Sequence, residues 1–200
     1  MSWIKVISFE EATGKLKRLY TKVTGPNNNV DNIMMVHGLR PHTMTGHMSL
    51  YKNVLHNSNN TLPKWFLETI GVYVSMLNNC DYCINHHFEG LKRLLADDEK
   101  SNQIKANLEK GNSPFPEEKY NRALNYSKKL TLIASEVEKK DVETLRNAGL
   151  TDGEILEVNQ VVSYFNYANR TVLGLGVSTD GDIIGLSPND SDDEDNWNHQ

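Results

Sequence analysis

Long apolar runs are missing from this 200-residue chain, and no N-terminal leader is expected. No stretch approaches the roughly 18 consecutive apolar residues that a membrane-spanning helix requires. Met1 to Lys5 carry no charged region followed by an apolar core, so no secretory signal is predicted. Hydrophobic residues make up 38% and charged residues 24% of the chain, which is typical of a water-soluble protein. We therefore expect a cytoplasmic location without membrane contact.

Basic clusters are missing as well, which argues against nucleic acid as a partner. The chain has 26 acidic and 21 basic residues, and no Lys or Arg follows Arg170. Seven of the acids lie in residues 178–200, which leaves 19 acids and 21 bases in residues 1–177. We predict one domain over 1–177. Residues 178–200 should form an acidic, disordered tail, because they have little apolar surface to bury; such a tail is either a solvated end or a docking segment.

Strict alternation of apolar and polar residues, which indicates a half-buried strand, is absent over any useful length. Helical signals recur instead. Capping boxes start at Ser8 and at Thr151, and Pro63 is suited to the first turn of a helix. A further helix should run from Cys80 to about Leu95. The sequence therefore predicts an all-α fold.

Cysteine is scarce, and the two cysteines of the chain, Cys80 and Cys83, are three positions apart. In a cytoplasmic protein a lone Cys-x-x-Cys indicates redox chemistry or half of a metal site. On a helix both cysteines share one face with His87, which can exchange a proton with Cys83. A helix N-terminus favours the thiolate, which is the nucleophilic form. Their spacing also predicts that the two sulfurs can approach disulfide geometry.

Ionisable side chains are nearly absent from the preceding helix. Between Trp65 and Leu77, Glu68 is the only charged residue, and Tyr73 is the only other ionisable one. Desolvation disfavours the charged carboxylate, which makes Glu68 a candidate general base. If the two helices form a hairpin, Glu68 could face the thiol pair. Alternatively, Glu68 pairs with a base from another helix.

Two other interpretations of the thiol pair stay open at this point. The cysteines could be buried apolar residues without chemistry, or they could bind zinc together with His86 or His87. A structural zinc site needs four ligands. The histidines nearer the N-terminus share no single helical face and are interpreted as surface or packing residues: His37, His42, His47 and His56.

Taken together, these residues resemble the carboxymuconolactone decarboxylase superfamily and, within it, the AhpD-like alkylhydroperoxidases and their peroxidase-related branch. The shared pattern is Glu68, eleven residues, Cys80-x-x-Cys83, three residues and His87. The resemblance is strongest over residues 62–95. It implies an all-α, AhpD-like helical bundle that assembles as a homo-oligomer.

The resemblance also implies a role for each residue. Cys83 is similar to the peroxidatic cysteine, which attacks the peroxide, and Cys80 is similar to the resolving cysteine, which forms the disulfide. Glu68 and His87 resemble the proton relay of the family. One position departs from the pattern, because Tyr82 stands where the alkylhydroperoxidases have a His, and a phenol cannot act as a base near neutral pH.

The function implied is a thiol-dependent peroxidase that reduces an alkyl or hydrogen peroxide through a dithiol–disulfide cycle. An external dithiol would reduce the disulfide, and no cofactor or metal is expected. Two alternatives remain. One is a lactone decarboxylase on the same fold, a branch that does not depend on a thiol pair. The other is a non-enzymatic redox-sensing or adaptor protein that uses the same disulfide.

Overall fold

The computed structural model of the protein describes residues 2–186 and contains helices but no strand in that range. The all-α prediction is therefore confirmed. No helix among these residues combines the length and the apolar character needed to cross a bilayer. The helices are α1 (Gly14–Val23), α2 (Asn32–Met35), α3 (Pro41–Tyr51), α4 (Lys64–Leu77), α5 (Asp81–Leu95), α6 (Asp98–Glu109), α7 (Glu118–Leu132), α8 (Lys139–Asn147) and α9 (Asp152–Leu175), and a π-helical turn, Lys52–His56, continues α3.

Helix α4 lies at the centre of the fold because its apolar residues cover every side. All residues from Phe66 to Ser75 are buried. A helix that is apolar all round has to be covered on all sides, and α5, α7 and α9 pack around α4. Glu68 belongs to this stretch, so its carboxylate is carried into the protein core by its neighbours.

A tight connection makes α4 and α5 a helical hairpin, which is the arrangement that would let Glu68 face the thiol pair. Asn79 takes a left-handed conformation with φ +55°, which asparagine tolerates better than most residues. The Cys80 N–H donates to the Ser75 carbonyl at 2.9 Å. Cys80 is the N-cap residue of α5, with φ −98° and ψ 83°, so Cys83 lies in the first turn of that helix.

The two capping boxes differ in what they start. Ser8 and Glu11 form both reciprocal hydrogen bonds, each of 3.2 Å, but these close a single turn. Thr13 is then extended, and α1 begins at Gly14, whose φ of +53° suits glycine. The helix predicted at Ser8 therefore begins later than expected. The box at Thr151 starts α9 directly, as predicted.

The segment that follows α9, residues 178–186, makes hydrogen bonds with the start of α2. The Asn32 side chain donates to the Ser178 carbonyl at 2.8 Å, and the Asn32 N–H donates to Asp182 Oδ1 at 3.0 Å. Because α2 lacks a capping side chain of its own, the Asp182 carboxylate serves as an acceptor for its first turn. The domain boundary at 177 stays a prediction, and residues 187–200 of the predicted tail lie outside the described residues.

Gly71 allows α9 to approach α4 closely. A Cβ atom at this position would overlap the ring of Phe165. Phe165 also packs edge-on against His87, with a distance of 4.6 Å between the ring centroids. The contact that Gly71 permits therefore helps to set the position of a candidate functional side chain.

We predict that Gly71→Ala lowers the free energy of unfolding by about 1–3 kcal/mol, because the added methyl group overpacks a filled core. The matched control is Gly46→Ala in α3, where a Cβ meets nothing within 4 Å. Since alanine is the better helix former, this change should raise stability by about 0.5–1 kcal/mol. Chemical denaturation of both variants measures the difference, and equal stabilities would contradict the close approach.

Candidate active site

The two cysteines lie side by side at the start of α5. Both are free thiols, and a hydrogen bond joins their sulfur atoms at 2.8 Å. Cys80 is 0% and Cys83 is 3% exposed. The structure therefore shows a buried, reduced dithiol whose sulfurs are already neighbours, and formation of the disulfide stays a prediction.

The neighbourhood of the sulfurs acts differently on the two thiols. The hydrogen bond with Cys83 lowers the pKa of Cys80. Burial raises the pKa of Cys83 well above its usual range, and a hydrogen bond with the Asn169 side chain acts in the opposite direction. Because the groups interact strongly, they titrate as a pair. The pair gives up its first proton readily and holds the second one tightly between the sulfurs.

Glu68 and His87, predicted as a relay, are brought together across the hairpin. Glu68 Oε2 lies 2.8 Å from His87 Nδ1, and the Glu68 side chain is only 1% exposed. The other carboxylate oxygen lies 4.0 Å from His56 Nε2. The bases that face Glu68 are thus two histidines. With its Nδ1 held by the carboxylate, His87 has Nε2 as its second proton-carrying atom.

A cavity of about 40 Å³ adjoins Cys83 and His87. Since a water molecule needs roughly 10–15 Å³, the cavity has room for a few non-hydrogen atoms. Cys83 lines it and Cys80 does not. The remaining walls come from the start of α2 and from α3, α5 and α9: Asp31, Ile33, Met34, His47, Met48, Tyr51, Tyr82, His86, His87 and Tyr164.

Tyr82, which replaces the His of the resembled family, connects the site to the C-terminal segment. Its hydroxyl donates to Asp182 Oδ2 at 2.7 Å and accepts from the Ile33 N–H at 3.2 Å. Burial and the Asp182 carboxylate raise the pKa of Tyr82 well above its usual range. His86 Nε2 lies 3.3 Å from the same Asp182 oxygen. Tyr82 is therefore a neutral structural link.

The histidines outside the motif are partly as expected. His37, His47 and His56 are buried and His42 is exposed, which agrees with surface or packing positions. His47, however, also lines the cavity, and no local pattern indicates this because α3 is distant from the motif along the chain. Asn169, whose side chain bonds to Cys83, was likewise not assigned to the site.

The zinc interpretation gains no support from the geometry. Within residues 2–186, no group of three or more His, Cys, Asp or Glu side chains is arranged to hold a metal ion. His86 is directed at Asp182 and His87 at Glu68. The two candidate ligands beside the thiol pair are therefore engaged with carboxylates.

Comparison with known proteins places the fold. No protein-family model matches the chain, and no curated protein matches it. An uncharacterized peroxidase-related protein from Ralstonia eutropha, described as an alkylhydroperoxidase AhpD core, superposes with a TM-score of 0.77 at 21% identity, covering 94% of this chain and 98% of its own. Another peroxidase-related protein, from Silicibacter, gives 0.68 at 24% identity over 76% and 78% of the two chains.

The debrominase Bmp8 shares the architecture as well, with a TM-score of 0.64 at 15% identity over 82% of this chain and 85% of its own. A cysteine-to-alanine variant of Bmp8 has been solved in complex with 2,3,4-tribromopyrrole. The predicted resemblance to AhpD-like, peroxidase-related proteins is thus confirmed at the level of the fold.

We predict that the thiol pair becomes reactive at a lower pH than an ordinary cysteine. Its first proton leaves from a group whose pKa is lowered by the bond between the sulfurs, so the midpoint of alkylation should fall below the usual thiol pKa of about 8.5. In Cys80→Ala the hydrogen bond between the sulfurs is lost, while burial still disfavours the thiolate of Cys83. The midpoint of alkylation should therefore rise above about 8.5. Iodoacetamide rates across pH measure both, and identical midpoints would contradict the coupling.

Proposed function

We propose that this protein is a thiol-dependent peroxidase, which reduces hydrogen peroxide or an alkyl hydroperoxide through a Cys80/Cys83 dithiol–disulfide cycle. The observation that carries the proposal is the shared cavity. Cys83 and His87 both line it, and Cys80 lies directly behind Cys83, with 2.8 Å between the sulfurs. The fold shared with peroxidase-related proteins supports the same conclusion.

The first step is attack by Cys83. The His87 imidazole accepts the first proton that the thiol pair loses. The Glu68 carboxylate, which is hydrogen-bonded to His87, stabilises the imidazolium that results. The remaining proton is shared across the 2.8 Å contact between the sulfurs, and the form that reacts is the one with the proton on Cys80 and the charge on Cys83. This thiolate attacks one peroxide oxygen. The O–O bond breaks, its electron pair leaves with the distal oxygen, and Cys83 becomes a sulfenic acid.

The second step is resolution by Cys80. Its sulfur attacks the Cys83 sulfenic acid, a disulfide forms, and water leaves with the proton of the Cys80 thiol. An external dithiol then reduces the disulfide by exchange. Cys83 lines the cavity and Cys80 does not. An incoming peroxide therefore meets the Cys83 sulfur first, which is why Cys83 is assigned the attack and Cys80 the resolution.

The cavity has room for a peroxide. Its volume of about 40 Å³ accommodates hydrogen peroxide or the peroxy end of an organic hydroperoxide. The dehalogenation suggested by Bmp8 is the weaker candidate, because a likeness at 15% identity supports a shared fold alone. A lactone decarboxylase would leave the paired thiols without a role.

Steady-state turnover separates the enzyme from a redox sensor. We expect peroxide consumption to continue for many cycles when a dithiol reductant is supplied, whereas a sensor would consume one equivalent and stop. The natural reductant, the cytoplasmic location and a homo-oligomeric state remain predictions. Sedimentation of the purified protein at several concentrations tests the last of these.

We predict that the two cysteines give opposite results with peroxide. Cys83→Ser should form no sulfenic acid, because the sulfur that faces the cavity is gone. Cys80→Ser should accumulate a lasting sulfenic acid on Cys83, because no second thiol resolves it. Mass spectrometry with a sulfenate trap detects both products. The reverse pattern would show that the roles are exchanged.

We predict that Glu68→Gln slows oxidation of the thiol pair by about 10²–10⁴-fold, the usual contribution of general base catalysis. Glutamine can still accept a hydrogen bond from His87 Nδ1, but it lacks the charge that stabilises the imidazolium. The melting temperature should change little, because the neutral side chain keeps the packing and removes a buried charge.

The matched test is the pH–rate profile of the same variant. If Glu68 acts through His87, raising the pH should restore part of the rate, since the thiol pair then ionises without a base. A large fall in melting temperature with unchanged kinetics would instead make Glu68 a structural residue and remove it from the relay.

A further inference from the structure

Tyr164 of α9 lines the same cavity as Cys83 and has no part in the Glu68–His87 relay. It is 3% exposed, and its hydroxyl oxygen lies 3.3 Å from His47 Nε2. Its pKa is raised well above the usual range by burial, with further contributions from Tyr51, Cys83 and Glu68. Tyr164 therefore stays protonated, and its hydroxyl lies within electrostatic reach of the thiol.

The tautomer of His47 decides where the Tyr164 proton points. Burial lowers the pKa of His47 to about 3, with smaller effects of His37 and His87, so the imidazole is neutral and carries one N–H. Among the described residues, His47 Nδ1 has no hydrogen-bond partner. A buried donor without a partner is rarer than a buried acceptor without one. We therefore assign the proton to Nε2, which donates to the Tyr164 oxygen.

This assignment leaves the hydroxyl hydrogen of Tyr164 available to the cavity. With its oxygen already accepting from His47, the phenol can direct its own proton only at another acceptor. Tyr51 packs against the ring of Tyr164, with 5.8 Å between centroids, and helps to fix its orientation. The phenol is thus a preorganised donor beside the reacting sulfur.

The reaction also requires a proton donor beside the oxygen that leaves. Sulfur, attacked oxygen and leaving oxygen lie in line during the displacement, so a base next to Cys83 is not next to the leaving oxygen. Hydroxide and alkoxide are poor leaving groups, since the pKa of water is about 15.7. The relay explains how the thiol loses its proton and leaves open which group protonates the departing oxygen.

We propose that Tyr164 is a further catalytic residue, the acid that protonates the leaving oxygen of the peroxide, held in position by His47. The inference rests on the proposed peroxidase function. As the O–O bond breaks, the phenol proton passes to the leaving alkoxide. The tyrosinate then recovers the proton that His87 took from the thiol pair. One thiol and one hydroperoxide thereby give one sulfenic acid and one alcohol.

The test compares two oxidants in Tyr164→Phe. Hydrogen peroxide releases hydroxide, which needs the acid, whereas peracetic acid releases acetate, which needs none. We expect the variant to oxidise its thiols about 10²–10³-fold more slowly with hydrogen peroxide and to react with peracetic acid at nearly the wild-type rate. Tyr167→Phe, an exposed tyrosine one turn further along α9, is the matched control and should leave both rates unchanged.

Unfolded thiols would react with both oxidants at rates of their own, so the melting temperature of the variant is measured first and the two rates are compared at a temperature where it is fully folded. Loss of the general acid should therefore change the ratio of the two rates by about 10²–10³-fold. Equal slowing of both oxidants would overturn the role of Tyr164 and leave the peroxidase function intact. Failure of the wild-type protein to react with either oxidant would overturn the proposed function itself.

Discussion

The hydrogen bond between Glu68 and His87 is the interaction on which the site depends. Helix α4 is apolar on all sides, so its single carboxylate is taken into the core. A buried charge is tolerated only with a partner, and α5 supplies one because the hairpin turn brings the two helices together. The same turn places Cys80 at the N-cap and Cys83 in the first turn. Burial of one acid therefore links packing of the core to placement of the thiols.

Local patterns were sufficient to predict α4, α5 and α9 and to identify the motif. The starts of α4 and α5 follow from Pro63 and from the turn before Cys80. Once α4 and α5 form a hairpin, their spacing along the chain brings Glu68 and His87 into contact. These features depend on neighbours within a few turns. The box at Ser8 shows the limit, because its hydrogen bonds form while the chain around Gly14 still delays the helix.

The walls of the cavity could not be predicted in the same way. His47 and Tyr164 come from α3 and α9, which meet at the motif only through tertiary packing, and no periodicity within either segment marks them as partners. Asp182 is a further case. An acidic, weakly apolar segment favours disorder on composition alone, and composition gives no sign that one carboxylate of this segment contacts both α2 and α5.

The position of Asp182 has a practical consequence for anyone who shortens or fuses this chain. Hydropathy suggests a cut near residue 177, since everything after it looks like a dispensable extension. Such a truncated protein would lose the carboxylate that accepts hydrogen bonds from Tyr82 and from the first amide of α2 and that lies 3.3 Å from His86 Nε2. The loss would fall on the wall beside Cys83, so a purified fragment could fold well and still report misleading reactivity. A C-terminal affinity tag therefore belongs after residue 186.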